Sequence, residues 1–152
     1  MFKEGSEEMA KSVRDVMTPG VRTLSPSQSL AEAAEVMKGE DVRSVPVVEE
    51  GRLAGIVTDR DIVTRAVAER RDPQTVKVGE VASQEVVTVE PEQNLDEPLA
   101  LMAHHQVRRL PVVEQGQLVG MLAQADVALE AKEKKVGETV EEISKPTSTE
   151  RE

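Results

Sequence analysis

Cysteine, tryptophan and tyrosine are absent from the 152 residues, and the only aromatic side chain of that kind is Phe2. Without cysteine there is no disulfide, no thiolate nucleophile and no zinc–thiolate site, which fits a reducing compartment. With Phe2 in a polar N-terminal stretch, the core has to be aliphatic, and base stacking on Tyr or Trp is excluded. Positive charge is also scarce: 19 Lys and Arg against 29 Asp and Glu leave a net charge of -10. Nonspecific attachment to DNA, RNA or anionic membranes depends on surplus Lys and Arg, so no nucleic-acid or membrane partner is expected, although a local basic pocket is compatible with this charge. Met1 to Ser12 lack the apolar run of a signal peptide, and no stretch reaches the roughly eighteen apolar residues of a membrane span. The expectation is a soluble, cytoplasmic protein.

What the sequence does contain is one pattern written twice at a constant offset of 65 residues. Val42-Arg43-Ser44-Val45-Pro46-Val47-Val48-Glu49 is answered by Val107-Arg108-Arg109-Leu110-Pro111-Val112-Val113-Glu114, and Gly51, Leu53, Gly55 and Asp61 by Gly116, Leu118, Gly120 and Asp126. The register holds through Pro26 and Pro91, Leu30 and Leu95, Met37 and Met102. Two units, each too small to bury an adequate core alone, are expected to fold as one body.

Each unit reads as strand, helix, strand, strand, helix. In the first, Val21 to Leu24 is a short strand stopped by Ser25-Pro26. Ser29 with Glu32 is a capping box for a helix ending at Gly39. Asn94 and Glu97 repeat the box, with Pro98 delaying the helix by a residue or two. Val45–Val48 and Leu53–Thr58 form a hairpin about Glu49-Glu50-Gly51, with Pro46 placed at the strand start. Ile62, Val63, Ala66 and Val67 then recur at helical spacing through Asp59 to Arg70. The helices carry more apolar surface than a thin sheet covers, which points to a homodimer, the alternative being that these residues complete the monomer core. A short helix is expected within 136–143 and disorder beyond Lys145.

The segment with chemistry is Gly55-Ile56-Val57-Thr58-Asp59-Arg60-Asp61, where a strand runs into a helix. A helix N-terminus presents free N–H groups and a positive dipole end, suited to phosphate. Thr58 adds a hydroxyl, Asp61 a carboxylate able to accept from a ribose diol, and Gly55 room for a ligand beside the strand. On the string alone the same residues read more readily as a helix cap, with Asp61 simply favouring the dipole. On their own, Arg108 and Arg109 read more readily as surface charges, solvated or paired with the many acidic side chains. His104 and His105, adjacent on a helix and without cysteine, make a poor metal site, and neither a catalytic set nor a phosphate loop of the Gly-x-x-x-x-Gly-Lys-Ser/Thr kind is present.

The repeat, the opening Val13-Arg14-Asp15-Val16-Met17-Thr18-Pro19, the run Arg109 to Val113 and Gly55 to Asp61 together resemble tandem cystathionine-β-synthase (CBS) domains. The similarity is greatest to the small stand-alone bacterial CBS-pair proteins, a group that includes hypoxic response proteins. This resemblance implies an α/β (α+β) fold of two β-α-β-β-α repeats packed with pseudo-twofold symmetry, CBS domain 1 at 12–73 and CBS domain 2 at 74–135. A flexible segment 1–11 and a tail 136–152 flank them. It also implies two clefts for adenosine ligands such as AMP, ATP or S-adenosylmethionine. The family motif Gly-x-x-Thr/Ser-x-x-Asp places Thr58 and Asp61 with Thr88, Arg108 and Arg109 in the first cleft, and Asp126 with Thr23, Arg43 and Ser44 in the second. Ala123 stands where the second motif should carry a hydroxyl, so the first cleft is expected to bind better. The implied role is a non-enzymatic sensor without a cofactor, dimeric and acting in trans on an unidentified protein partner. The alternative is a ligand-free interaction or structural module.

Overall fold

Both hairpins turn on two residues in the left-handed region, Glu50–Gly51 (φ 54 and 80) and Gln115–Gly116 (φ 54 and 82), in the computed structural model of the protein, which describes residues 11–130. Such turns match the right-handed twist of the flanking strands, and glycine occupies the second position without a Cβ penalty. They set Glu49 opposite Arg52 in the pair β1 (Ser44–Glu49) and β2 (Arg52–Thr58), and Glu114 opposite Gln117 in β3 (Arg109–Glu114) and β4 (Gln117–Ala123). Pro46 and Pro111 fall inside β1 and β3 rather than at their first residues. They are tolerated because those are the outer strands of a sheet ordered β1-β2-β4-β3.

The expected strand at Val21 to Leu24 contracts to a single parallel bridge, Leu24 to Val47, matched by Val89 to Val112. The Leu24 N–H donates to Pro46 O at 3.0 Å and its carbonyl accepts from Val48 N at 2.8 Å. Extending the ladder backwards needs an N–H on Pro46, which proline lacks. The proline of the Pro-Val-Val run therefore limits the strand beside it.

The helices are α1 (Val13–Val16), α2 (Leu30–Glu40), α3 (Asp59–Ile62), α4 (Val78–Val81) and α5 (Asp96–His105), and residues 124–130 are helical after β4. Ser29 and Glu32 cap α2 reciprocally at 3.2 and 3.1 Å, as expected. Gly39 does not end α2; Asp41 does, in the left-handed region at φ 56, a conformation aspartate tolerates. The second capping box does not form. Asn94 Oδ1 accepts instead from Asp96 N at 3.0 Å, Gln93 holds Glu97 at 2.7 Å, and α5 starts one residue late relative to α2. The segment after α3 widens into a π-helical turn over Val63–Val67, with Ala68 N donating to Val63 O at 2.8 Å. Thr64 Oγ1 donates to the Arg60 carbonyl at 2.8 Å, competing with the backbone for that acceptor. The expected flexible segment up to residue 10, the expected helix within 136–143 and the expected disorder beyond Lys145 lie outside the described residues.

The two units are locked by exchange of their opening helices. Val13 N donates to Gln93 O at 2.8 Å while Val78 N donates to Gln28 O at 2.7 Å. The isolated bridges fall into matching pairs: Ser12 with Asn94 and Ser29 with Lys77, Thr18 with Met121 and Ile56 with Ser83. Each pair is related by the 65-residue offset with the units interchanged, which is a pseudo-twofold axis. Accordingly Val78 and Val81 are buried with Leu24, Leu30, Met37 and Val57 of the first unit, while Val13 is buried with Met102, Leu110, Val112 and Leu122 of the second. Burying each Leu or Val side chain contributes about 1.5–3 kcal/mol. Of the apolar helix residues, Ala33, Val36, Met37, Ala66 and Met102 complete these cores, whereas Val63 and Val67 stay more than half exposed, as does Leu129 after β4.

Equivalent carboxylates fasten the exchanged helices. Asp15 Oδ2 accepts from Ser12 N at 2.9 Å and Glu80 Oε2 from Lys77 N at 3.0 Å. These backbone bonds lower both carboxyl pKa values, helped for Asp15 by the Ser12 hydroxyl and for Glu80 by the Arg71 guanidinium. Arg14 reaches across to Glu92 at 3.0 Å and Glu114 at 3.2 Å, and its pKa is raised chiefly by the bond to Glu92.

Candidate functional site

β2 delivers Thr58 to the N-terminus of α3 in extended backbone, φ -116 and ψ 163. Its Oγ1 accepts from Asp61 N at 3.0 Å, and Asp61 Oδ2 accepts from Thr58 N at 3.0 Å. The two residues chosen for phosphate and ribose are thus brought together, and each caps the other. The second Asp61 oxygen lies 3.9 Å from Arg65 Nε, and Arg65 Nη1 donates to Val81 O at 3.0 Å. The motif is thereby wired to the exchanged helix α4. Gly55 does not make room for a ligand. A Cβ there would lie 2.7 Å from the Ser83 carbonyl, whose peptide bridges to Ile56. Gly120 makes the same approach to the Thr18 carbonyl at 2.8 Å.

The arginines lie elsewhere. Arg109 pairs with Ala123 across β3 and β4, and Gln124 N donates to Arg108 O at 2.7 Å, just as Asp59 N donates to Arg43 O at 2.9 Å. Each arginine next to the Pro-Val-Val run therefore has its backbone beside the motif of its own unit. Arg43, Arg108 and Arg109 line a cavity of about 1010 Å³ between the units, with Ala123, Gln124 and Leu99. Thr58 and Asp61 are not part of its wall. The grouping of Arg108 and Arg109 with Thr58 is corrected to this extent: they converge with Arg43 on the cleft of the Ala123 motif.

An adjoining hollow of about 220 Å³ shares Arg109 and adds Ser44, Arg22 and Met121. A third of about 140 Å³ holds Thr23 beside Gly120. Asp126 is half-buried on the helix that begins at Gln124, and Thr88 is exposed on the extended segment before Val89. Reading the sequence alone misses Arg22, which pairs with Glu40 at 3.7 Å, and also misses Glu40 and Asp41 on the cavity wall. Arg22 could have been found from its place beside Thr23 in the segment leading to Leu24. His104 and His105 are exposed, with rings T-shaped at 4.8 Å. Among the described residues no group of three or more His, Cys, Asp or Glu is arranged to hold a metal, and no helix is long and apolar enough to cross a membrane.

These features define a class: a tandem α/β module with an exchanged helix at each seam and an arginine-lined cavity between the repeats. The CBS domain profile matches residues 13–68 and 78–133, and the chain belongs to the CBS domain family as a tandem pair, a regulatory module. It is 50% identical over 118 residues to the CBS domain-containing protein YhcV of Bacillus subtilis, covering 78% of this chain and 84% of that protein. It is 35% identical over 136 residues to Hypoxic response protein 1 of Mycobacterium tuberculosis, covering 89% and 95%. Among solved structures, CBSX2 of Arabidopsis thaliana in complex with AMP superposes with a TM-score of 0.72 at 28% identity, covering 82% of this chain and 98% of that one.

Proposed function

We propose that the protein is a non-catalytic sensor that binds an adenine nucleotide or related adenosine ligand between its repeats and signals in trans to a protein partner. The observation that carries this reading is the cavity between the units, where Arg43, Arg108 and Arg109 converge. Guanidinium groups suit phosphate through their planar forks. The AMP complex of CBSX2 supports the ligand class. In this reading Arg43, Arg108 and Arg109 meet phosphate and Asp126, on the helix that follows the cavity wall, meets ribose, with Ser44 and Thr23 in the neighbouring hollows. Thr58 and Asp61, with Thr88, serve the other cleft once their mutual cap opens. The working unit is the pair 12–135 rather than 12–73 or 74–135 alone, because α1 and α4 are exchanged. The exposed Val63, Val67 and Leu129 on the helices after each motif support a homodimer. Ligand affinity that differs between two arrangements of the repeats shifts their populations and alters partner contact.

One observation favours a ligand-free module: Thr58 and Asp61 are already satisfied by each other. Thermal unfolding of the full chain with millimolar AMP, ATP and S-adenosylmethionine separates the two readings. A ligand present at a hundredfold its Kd stabilises the folded state by about 2.7 kcal/mol. A ligand-dependent rise in Tm is expected, and identical melts with all three ligands would favour the scaffold.

A further inference from the structure

The two clefts are not chemical copies, and the difference names what the cleft at Ala123 selects. At position 22 the chain has Arg where the other unit has Val87, and at position 109 it has Arg where the other unit has Ser44. Both substitutions fall on the Ala123 side. Arg109 is half-buried and lines both the large cavity and the adjoining hollow, and Arg22 lines that same hollow. With Arg43 and Arg108 this puts four arginines on the walls of two adjoining hollows, while the hydroxyl that the other motif carries at Thr58 is replaced by Ala123. The opposing charges are Glu40, whose carboxylate lies 3.7 Å from Arg22, and Asp41.

We infer that the Ala123 cleft reads the number of phosphates: it takes nucleoside di- and triphosphates in preference to a monophosphate, and rejects a cationic sulfonium. This rests on the nucleotide-sensor reading and deepens it. A monophosphate can engage the pair Arg43 and Arg108, which have counterparts in each other. Further phosphates have partners only because Arg109 and Arg22 are present. A second or third phosphate brings a further charge-assisted bidentate contact and competes with Glu40 for Arg22. A cavity of about 1010 Å³ also leaves space beyond a single phosphate.

Calorimetric titration of the full chain with ATP, ADP, AMP and S-adenosylmethionine, at low and physiological salt, tests this. Affinity is expected to fall from ATP to ADP to AMP, with about a tenfold span between ATP and AMP, which is about 1.4 kcal/mol. The span should narrow at higher salt. Arg109→Ser, which installs the residue of the sibling position, should weaken ATP more than AMP and so reduce the ATP-to-AMP ratio to about threefold or less. Arg22→Val should have a smaller effect in the same direction. Arg109→Lys, which keeps the charge and loses the fork, should fall between wild type and Ser, and it guards against a folding defect in either other variant. Inorganic tripolyphosphate should displace ATP from wild type and do so poorly from Arg109→Ser. Nucleotide binding with equal ATP and AMP affinities, or a ratio unchanged by Arg109→Ser, overturns this inference alone. No binding of any adenine nucleotide to the wild-type chain overturns the sensor reading with it.

Discussion

Replacing Gly55 by alanine tests the seam between the repeats. The added Cβ would lie 2.7 Å from the Ser83 carbonyl oxygen and 3.7 Å from the Ala82 Cβ. The first distance is more than half an ångström inside ordinary contact, and the obstacle is backbone, which cannot rotate away. Relief requires Ser83 to retreat, breaking the reciprocal bonds Ile56 N to Ser83 O at 3.0 Å and Ser83 N to Ile56 O at 2.9 Å. Overpacking of this kind costs about 1–3 kcal/mol and each lost bond about 1 kcal/mol, offset by about 0.5–1 kcal/mol from removing a strand glycine. The net expectation is a loss of about 2–4 kcal/mol in urea unfolding, read from the midpoint with an unchanged slope. Gly39→Ala is the control. That residue lies within α2, and no atom is within 4 Å of its virtual Cβ, so alanine should stabilise by about 0.5–1 kcal/mol. Equal stabilities for the two variants, or Gly55→Ala within 0.5 kcal/mol of wild type, would refute the proposed crossing of the segment after α4 over β2.

Asp15 and Glu80 have lowered pKa values in the folded state, so the stability they contribute is complete above their ordinary values of 3.8 and 4.5 and is lost as pH falls through the lowered ones. Asp15→Asn with Glu80→Gln should therefore flatten the acid limb of a stability profile below about pH 4.5 while leaving its shape near neutrality alone; an unchanged limb would contradict these roles. Val63→Lys with Val67→Lys should convert a dimer to a monomer in light scattering without lowering Tm, since both side chains are exposed in the protomer. A dimer that persists would place its interface elsewhere. Thr58→Ala with Asp61→Ala removes a reciprocal cap and should cost about 1 kcal/mol of stability in urea unfolding. A larger loss would mean that the link through Arg65 to Val81 matters more than the cap.

The repeat made most of the architecture legible in advance. The turn at Glu50–Gly51, the cap at Ser29 and the continuous apolar Pro-Val-Val runs are local signals, and each is found in place. Features that depend on distant partners were not legible. Nothing in Val13 or Val78 says that each belongs to the other unit's core, because a one-turn helix carries no pattern long enough to reveal its neighbour. Gly55 looked like room for a ligand, since a sequence shows that space is kept but not what fills it. Along the cavity between the repeats, the arginines were visible in the sequence and their grouping was not. Arg108 follows its own unit's motif through a backbone bond from Gln124, a contact that no side-chain pattern encodes. Arg22 escaped notice because its counterpart is Val87, and a search guided by the repeat overlooks what the repeat does not share.

The central claim is that the groove between the repeats, on the Ala123 side, receives a nucleotide by its phosphates. A crystal structure of the full chain grown with ATP tests it most directly. The account predicts phosphate oxygens within hydrogen-bonding distance of the Arg43, Arg108 and Arg109 guanidinium groups, with the ribose toward Asp126. Nucleotide bound outside the groove, or with its phosphates directed away from those three arginines, would contradict it.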